Sequence, residues 1–172
     1  MSRFVFVTGG ARSGKSDFAM RLAEEASRDR VYVATARALD PEMEDRVRRH
    51  REARGDGWRT VEEPLDIVGA VSVAGGGAVV VDCLTLWLTN MLMEDGDGFE
   101  DVAASKAAEL AASIKRIPGT TVVVSNEVGL GIVPSDALTR KFRDAAGRVN
   151  RVVAEAADEV FIVVSGIPLK IK

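Results

Sequence analysis

Apolar residues fall into two kinds of run along this chain. Short continuous runs occur at Phe4–Val7, Val31–Ala36, Gly77–Asp82, Thr120–Ser125 and Val160–Val164. They are rich in valine and bounded by glycine or polar residues, the pattern of strands buried on both faces. Trp58–Val61 reads as a shorter strand or extended segment, and Ile167–Ile171 follows the last run across Ser165-Gly166 as an antiparallel edge hairpin. Between the strands the apolar residues recur at three- and four-residue steps, predicting helices. Asp17–Ser27 carries Phe18, Leu22 and Ala26; Leu65–Val73 carries Ile67, Val68 and Val71; Phe99–Ile117 carries Ala103, Ala107, Leu110, Ile114 and Ile117. Asp136–Asp158 is the longest, with Leu138, Phe142, Ala145, Val149, Val152 and Ala156 toward the sheet. Leu84–Met93 is apolar on more than one face, so it is expected in the core or at a subunit contact. Pro41–Arg54, with Asp40 as its N-cap, has few apolar positions, mainly Met43 and Val47, and must face solvent or a ligand. Strands alternating with helices predict an α/β fold: a mostly parallel sheet with right-handed crossovers, flanked by helices.

Composition narrows the class without naming a chemistry. The 172 residues suffice for one domain with a sizeable core, and 1–172 is read as a single unit. A net charge of −3 points to neither nucleic acid nor membrane as the main partner. No apolar run is long enough to span a bilayer, and the chain enters its first strand without a signal-like segment. Cys83 is the only cysteine, so no intrachain disulfide forms, which fits a reducing cytoplasm.

The first strand runs into Gly9-Gly10-Ala11-Arg12-Ser13-Gly14-Lys15-Ser16. The spacing satisfies G-x-x-x-x-G-K-[ST], the P-loop, and it sits where that motif works, after a buried strand and before an amphipathic helix. Glycines let several backbone N–H groups converge on one anion, and the helix starting at about Lys15 turns its positive end toward it. Lys15 then reaches the β- and γ-phosphates, and Ser16 supplies a hydroxyl to Mg²⁺. Asp82 ends a buried strand, the place of the acid that holds Mg²⁺ in such proteins, directly or through water; capping the next helix is a compatible second role. The segment Asn126–Pro134 follows the strand at Thr120–Ser125, at the carboxyl edge of the sheet, and so belongs near the phosphates.

His50 is the single histidine, and Arg46, Arg48, Arg49, Arg51 and Arg54 surround it. On a helix Arg46, His50 and Arg54 share a face. Fixed cations disfavour a protonated imidazole, and a neutral imidazole is a nucleophile toward phosphorus. The residues alone leave two readings open: a nucleophile flanked by phosphate-neutralising arginines, or a solvated basic helix face with an incidental histidine. A third, a RecA-like ATPase module binding nucleic acid or protein, expects a basic strip or an aromatic platform. The chain has few aromatics, with two Trp, one Tyr and six Phe.

Several further segments carry a resemblance. They are T-G-G-A-R-S-G-K-S at Thr8–Ser16, A-T-A at Ala34–Ala36, R-V-R-R-H-R at Arg46–Arg51, W-R-T-V-E at Trp58–Glu62, V-V-D-C-L-T at Val80–Thr85, S-N-E-V-G-L-G-I-V-P at Ser125–Pro134, F-R-D-A-A-G-R-V-N at Phe142–Asn150 and V-V-S-G-I-P-L-K-I-K at Val163–Lys172. Spread from end to end, they resemble the bifunctional adenosylcobinamide kinase / adenosylcobinamide-phosphate guanylyltransferase family of cobalamin biosynthesis. The resemblance implies a RecA-like P-loop NTPase fold, a homotrimer, and two reactions. Adenosylcobinamide is phosphorylated with ATP or GTP, and GMP is then transferred from GTP through a guanylylated histidine. It places the nucleophile on His50 and a catalytic lysine at Lys15. Nucleotide contacts fall on Gly9, Gly10, Ala11, Arg12, Ser13, Gly14, Lys15, Ser16, Ala34, Thr35, Ala36, Arg51, Glu52, Ala53, Arg54, Glu62 and Asp82, with Mg²⁺ at Ser16 and Asp82. It implies nucleotide and corrinoid partners, with no nucleic acid and no membrane insertion. The chain carries Arg49 where some members have a second histidine, and Asp82 where glutamate is frequent.

Overall fold

The computed structural model describes residues 1–38, 41–96 and 98–172, with the side chains of Glu42, Met43, Arg46, Ala53 and Asp95 excepted. Asp40 as a helix cap, Met43 as an apolar anchor, and the side chains of Arg46 and Ala53 thus lie outside what is described. The strands are β1 (Ser2–Gly9), β2 (Arg30–Ala34), β3 (Arg59–Glu62), β4 (Ala78–Asp82), β5 (Gly119–Val124), β6 (Glu159–Val164) and β7 (Ile167–Lys170). The helices are α1 (Lys15–Ala26), α2 (Pro41–Arg54), α3 (Ile67–Ala74), α4 (Leu84–Asp95), α5 (Phe99–Arg116) and α6 (Ala137–Ala156).

The strands form one sheet in the order β3-β2-β4-β5-β1-β6-β7. All pairings are parallel except β6 with β7, the antiparallel edge hairpin that the Ser165-Gly166 turn predicts. Alternation along the strands sends their valines to two cores. One core joins Phe4, Phe6, Val79, Val81 and Val123 to residues of α3, α4, α5 and α6. The other joins Val5, Val7, Val80, Val122 and Val124 to Ala19, Leu22 and Ala23 of α1, with Tyr32 and Trp58. Because the sheet is covered on both faces, its central strands carry continuous apolar runs, such as Phe4–Val7, Ala78–Val81 and Val122–Val124, rather than apolar residues at every second position.

Most boundaries agree with the periodicity, and the differences have local causes. Strand β2 ends at Ala34, two residues short of the apolar run. Beyond it Thr35 N–H still donates across to Asp82 O at 3.0 Å, while its buried hydroxyl donates to Cys83 O at 2.8 Å and accepts from Cys83 N–H at 2.7 Å. Helix α4 buries Leu84, Trp87, Leu88 and Met91 completely or nearly so, as its apolar surface requires, while Met93 is exposed. Helix α6 is capped by Asp136, whose carboxylate accepts from Thr139 N–H at 2.7 Å. Its buried stripe is Ala145, Ala146, Val149, Asn150 and Val153; Leu138, expected on that stripe, lies in the first turn, N-terminal to the buried stretch, and is exposed. Helix α2 buries little of itself, as its scarcity of apolar positions predicts.

Candidate active site

The phosphate loop is shaped by contacts only glycine permits. Gly9 has φ +150°, and a Cβ there would lie 2.4 Å from Val163 O and 2.9 Å from Ser13 Oγ. Gly14 precedes α1 in the left-handed region, with φ 91°, so the chain enters the helix without a side-chain cap. The first-turn N–H groups of α1 are left for an anion. The loop closes on itself through Ser13 N–H to Gly10 O at 3.3 Å and is tied to the β6–β7 turn through Gly166 N–H to Ser13 O at 2.9 Å. Lys15 is buried, and its ammonium donates to Gly10 O at 2.7 Å. The Ser13 hydroxyl is buried with no partner among the described residues.

A cleft of about 540 Å³ opens along the carboxyl edge of the sheet, above this loop. Its walls bring together Ala11 through Ser16 of the phosphate loop, Ala34 at the end of β2 and Ala36 beyond it, Glu62 at the end of β3, Asp82 at the end of β4, and His50, Arg51 and Arg54 from α2. Thus the histidine and the phosphate loop, 34 residues apart between Ser16 and His50, face one space. Gly9 and Gly10 do not line the cleft: Gly9 is seated against Val163, and Gly10 is exposed, its carbonyl accepting from Lys15. Thr35 is fully buried and braces the β4–α4 junction instead of reaching the cleft wall. Glu52 lines a second groove of about 340 Å³ on the far side of Arg51 and Arg54.

The arginines around His50 divide. Arg48 pairs with Asp45 and Glu52, and Arg49 with Asp45, so these two are engaged along α2. Arg51 and Arg54 turn to the cleft. Arg54 lies over the Tyr32 ring, 3.9 Å from its centroid, and its Nη2 donates to Thr60 Oγ1 at 3.3 Å.

Tyr32, Thr60, Val47, Leu86, Cys83 and Asn126 also line the cleft; the sequence places the segment that starts at Asn126 near the phosphates but assigns none of the six a site role. The Tyr32 hydroxyl donates to Asp82 Oδ2 at 2.6 Å. Burial, and next the charge of Asp82, raise the Tyr32 phenol well above its usual range, so it stays a donor at neutral pH. Burial likewise pushes the Cys83 thiol up to about 12, which rules it out as a thiolate nucleophile. Ser16 and Asp82 offer a hydroxyl and a carboxylate to the same cleft, oxygen donors of the kind Mg²⁺ takes.

A family model described as cobinamide kinase / cobinamide phosphate guanyltransferase matches residues 5–171. The chain belongs to this family. It is an enzyme of that family, and its fold is that of a RecA-like P-loop NTPase. It is 42% identical to the bifunctional adenosylcobalamin biosynthesis protein CobU of Escherichia coli, over 98% of this chain and 99% of the other. It is 43% identical to the CobU protein of Salmonella typhimurium, with the same coverage. It is 42% identical to the bifunctional adenosylcobalamin biosynthesis protein CobP of Pseudomonas aeruginosa, over 96% of this chain and 95% of the other. Among solved structures, the flagellar accessory protein FlaH of Methanocaldococcus jannaschii superposes with a TM-score of 0.51 at 13% identity, covering 99% of this chain and 78% of that one. That likeness concerns the fold alone. No helix among the described residues is long and apolar enough to cross a membrane.

Proposed function

We propose that this chain, as one catalytic domain over residues 1–172, phosphorylates the aminopropanol hydroxyl of adenosylcobinamide with ATP or GTP. It then transfers GMP from GTP to the resulting phosphate, giving adenosylcobinamide-GDP. Family membership supports the pair of reactions, and the meeting of His50 with the phosphate loop in one cleft carries the assignment of residues.

The two steps divide the cleft. In the kinase step the loop's N–H groups and Lys15 hold the phosphates, and catalysis is positioning and charge. In the second step the His50 imidazole attacks the α-phosphorus of GTP. A P–N bond forms as the P–O bond to pyrophosphate breaks, and pyrophosphate leaves with the electron pair. The acceptor phosphate then attacks the same phosphorus, the P–N bond breaks, and the imidazole is released. Arg51 and Arg54 offset the negative charge that grows on the departing group. Ser16 and Asp82 would hold Mg²⁺, which when bound neutralises phosphate charge. A cytoplasmic location and a homotrimer complete the reading. Exposed Leu130, Ile132 and Val133 on the loop after β5, and Ile167 and Leu169 on β7, support assembly, since such side chains gain from burial against another copy.

The test is incubation with α-labelled GTP, denaturation, and mass analysis of the peptide carrying His50. One added GMP, acid-labile and base-stable, is expected there. His50→Ala should lose the label and guanylyl transfer while still phosphorylating the acceptor. Normal conversion of the phosphorylated acceptor by His50→Ala would eliminate the histidine mechanism.

A further inference from the structure

Strand β5 lies between β1, which carries the phosphate loop, and β4, which ends in Asp82. Val124 pairs with Val7 on one side and with Asp82 on the other. The parallel ladder continues past the strand end: Ser125 N–H donates to Val7 O at 3.0 Å, and Glu127 N–H donates to Gly9 O at 2.9 Å. Asn126 lies between those two rungs, level with the first residues of the loop. It therefore stands between the phosphate grip and the acid.

The backbone of Asn126 is held from both sides. Its N–H donates to Thr85 Oγ1 of α4 at 2.8 Å, and its C=O accepts from Asn150 Nδ2 of α6 at 3.2 Å. Two helices thus fix Asn126, which follows β5 and lines the cleft. Its carboxamide takes no partner among the described residues, although it is half-buried. Anchoring a residue through both its N–H and its C=O while leaving the side chain unengaged suits a group reserved for a ligand.

We propose that Asn126 aligns the acceptor hydroxyl with the γ-phosphoryl group in the kinase step, an inference that rests on the kinase reading above. A carboxamide presents two N–H donors and one carbonyl acceptor. The NH₂ donates to a γ-phosphoryl oxygen, and the carbonyl accepts from the acceptor hydroxyl. The acceptor oxygen bonds to the γ-phosphorus as the bond to the bridging oxygen breaks, and the nucleoside diphosphate leaves with that electron pair. The hydroxyl proton passes to water. Asn126 neither gains nor loses a proton, in keeping with a loose transition state that needs alignment more than a strong base.

The experiment compares wild type, Asn126→Ala and the isosteric Asn126→Asp, using adenosylcobinamide with saturating nucleotide and Mg²⁺. Nucleotide affinity is measured separately by titration. Phosphorylation kcat should fall about a hundredfold in both variants, the scale for losing one aligned donor at a reacting group. The nucleotide Kd should stay within about threefold of wild type in Asn126→Ala, whereas the carboxylate of Asn126→Asp, set beside the γ-phosphate, should weaken it. A residue that only braced the loop would instead weaken binding and leave kcat at saturation intact. Either that pattern or a kcat in Asn126→Ala within about threefold of wild type overturns the inference. If Asn126→Ala does not fold, Asn126→Asp, which keeps the shape, decides by kcat at saturating nucleotide alone: a value within about threefold of wild type overturns the inference. A wild type that makes no phosphorylated product overturns the function as well; an active wild type matched by its variants overturns only the role of Asn126.

Discussion

Replacing Tyr32 by phenylalanine isolates one hydrogen bond under the cleft. The ring is 4% exposed, wedged between the Arg54 guanidinium and the edge of Trp58, whose centroid lies 6.1 Å away at 85°. Tyr32→Phe leaves those contacts and deletes only the hydroxyl donating to Asp82 at 2.6 Å. A hydrogen bond to an ionised group contributes about 1.5–3 kcal/mol. Asp82 is half-buried, so water recovers part of that, and the expected loss is about 1–2 kcal/mol. Tyr32→Ala also removes the ring, opens a cavity and strands Arg54, and should cost about 3–5 kcal/mol. Urea unfolding at constant m-value gives both differences. A double-mutant cycle pairing Tyr32→Phe with Asp82→Ala should return about 1 kcal/mol or more of coupling. Tyr32→Phe within about 0.5 kcal/mol of wild type, or coupling indistinguishable from zero, would refute the reasoning.

Lys15→Ala should lower phosphorylation kcat about a hundredfold or more while far-ultraviolet circular dichroism is unchanged; near-normal turnover would remove Lys15 from the phosphate grip. Native Cys83 should resist thiol alkylation at pH 8 and react fully once unfolded, because its thiol is buried. Its folded pKa of about 12 exceeds the 9.0 of an unperturbed thiol, so the unfolded chain releases this proton first. Its contribution to stability is therefore complete below pH 9 and is lost as pH rises from there toward 12. Chemical denaturation across that range should show the decline, and Cys83→Ala should lessen it, the raised Tyr32 phenol accounting for a part that remains.

The order of elements and the phosphate loop were legible because each rests on local pattern: glycine spacing, strand-length apolar runs, helical stripes. Asp82 was legible because a buried strand that ends in an acid is itself a local signal. Tyr32 was not, since alternation gives the sheet face it points to but not the carboxylate fifty residues away that it meets. Asn126 was readable only as part of a loop near the phosphates. Its place between β1 and β4 depends on strand order, which periodicity does not contain. Thr35 belongs to a motif the resemblance ties to nucleotide, yet its side chain is spent on the Cys83 backbone. Leu138 matched the helical stripe by spacing, but where α6 meets the sheet is a matter of tertiary geometry.

The position of β1 in the sheet has a consequence for how the protein is made. This strand leaves the ribosome before both of its neighbours, yet Val7 pairs with Val124, and Phe6 with Val160. Neither partner exists until most of the chain has been synthesised, and closing loops of that length costs entropy that only the completed sheet repays. Gly9 is seated against Val163 of β6, so the phosphate grip takes shape only when the last strands dock. Nascent chains stalled before β6 should therefore be blind to nucleotide. Capture on an immobilised triphosphate would sort finished molecules from unfinished ones.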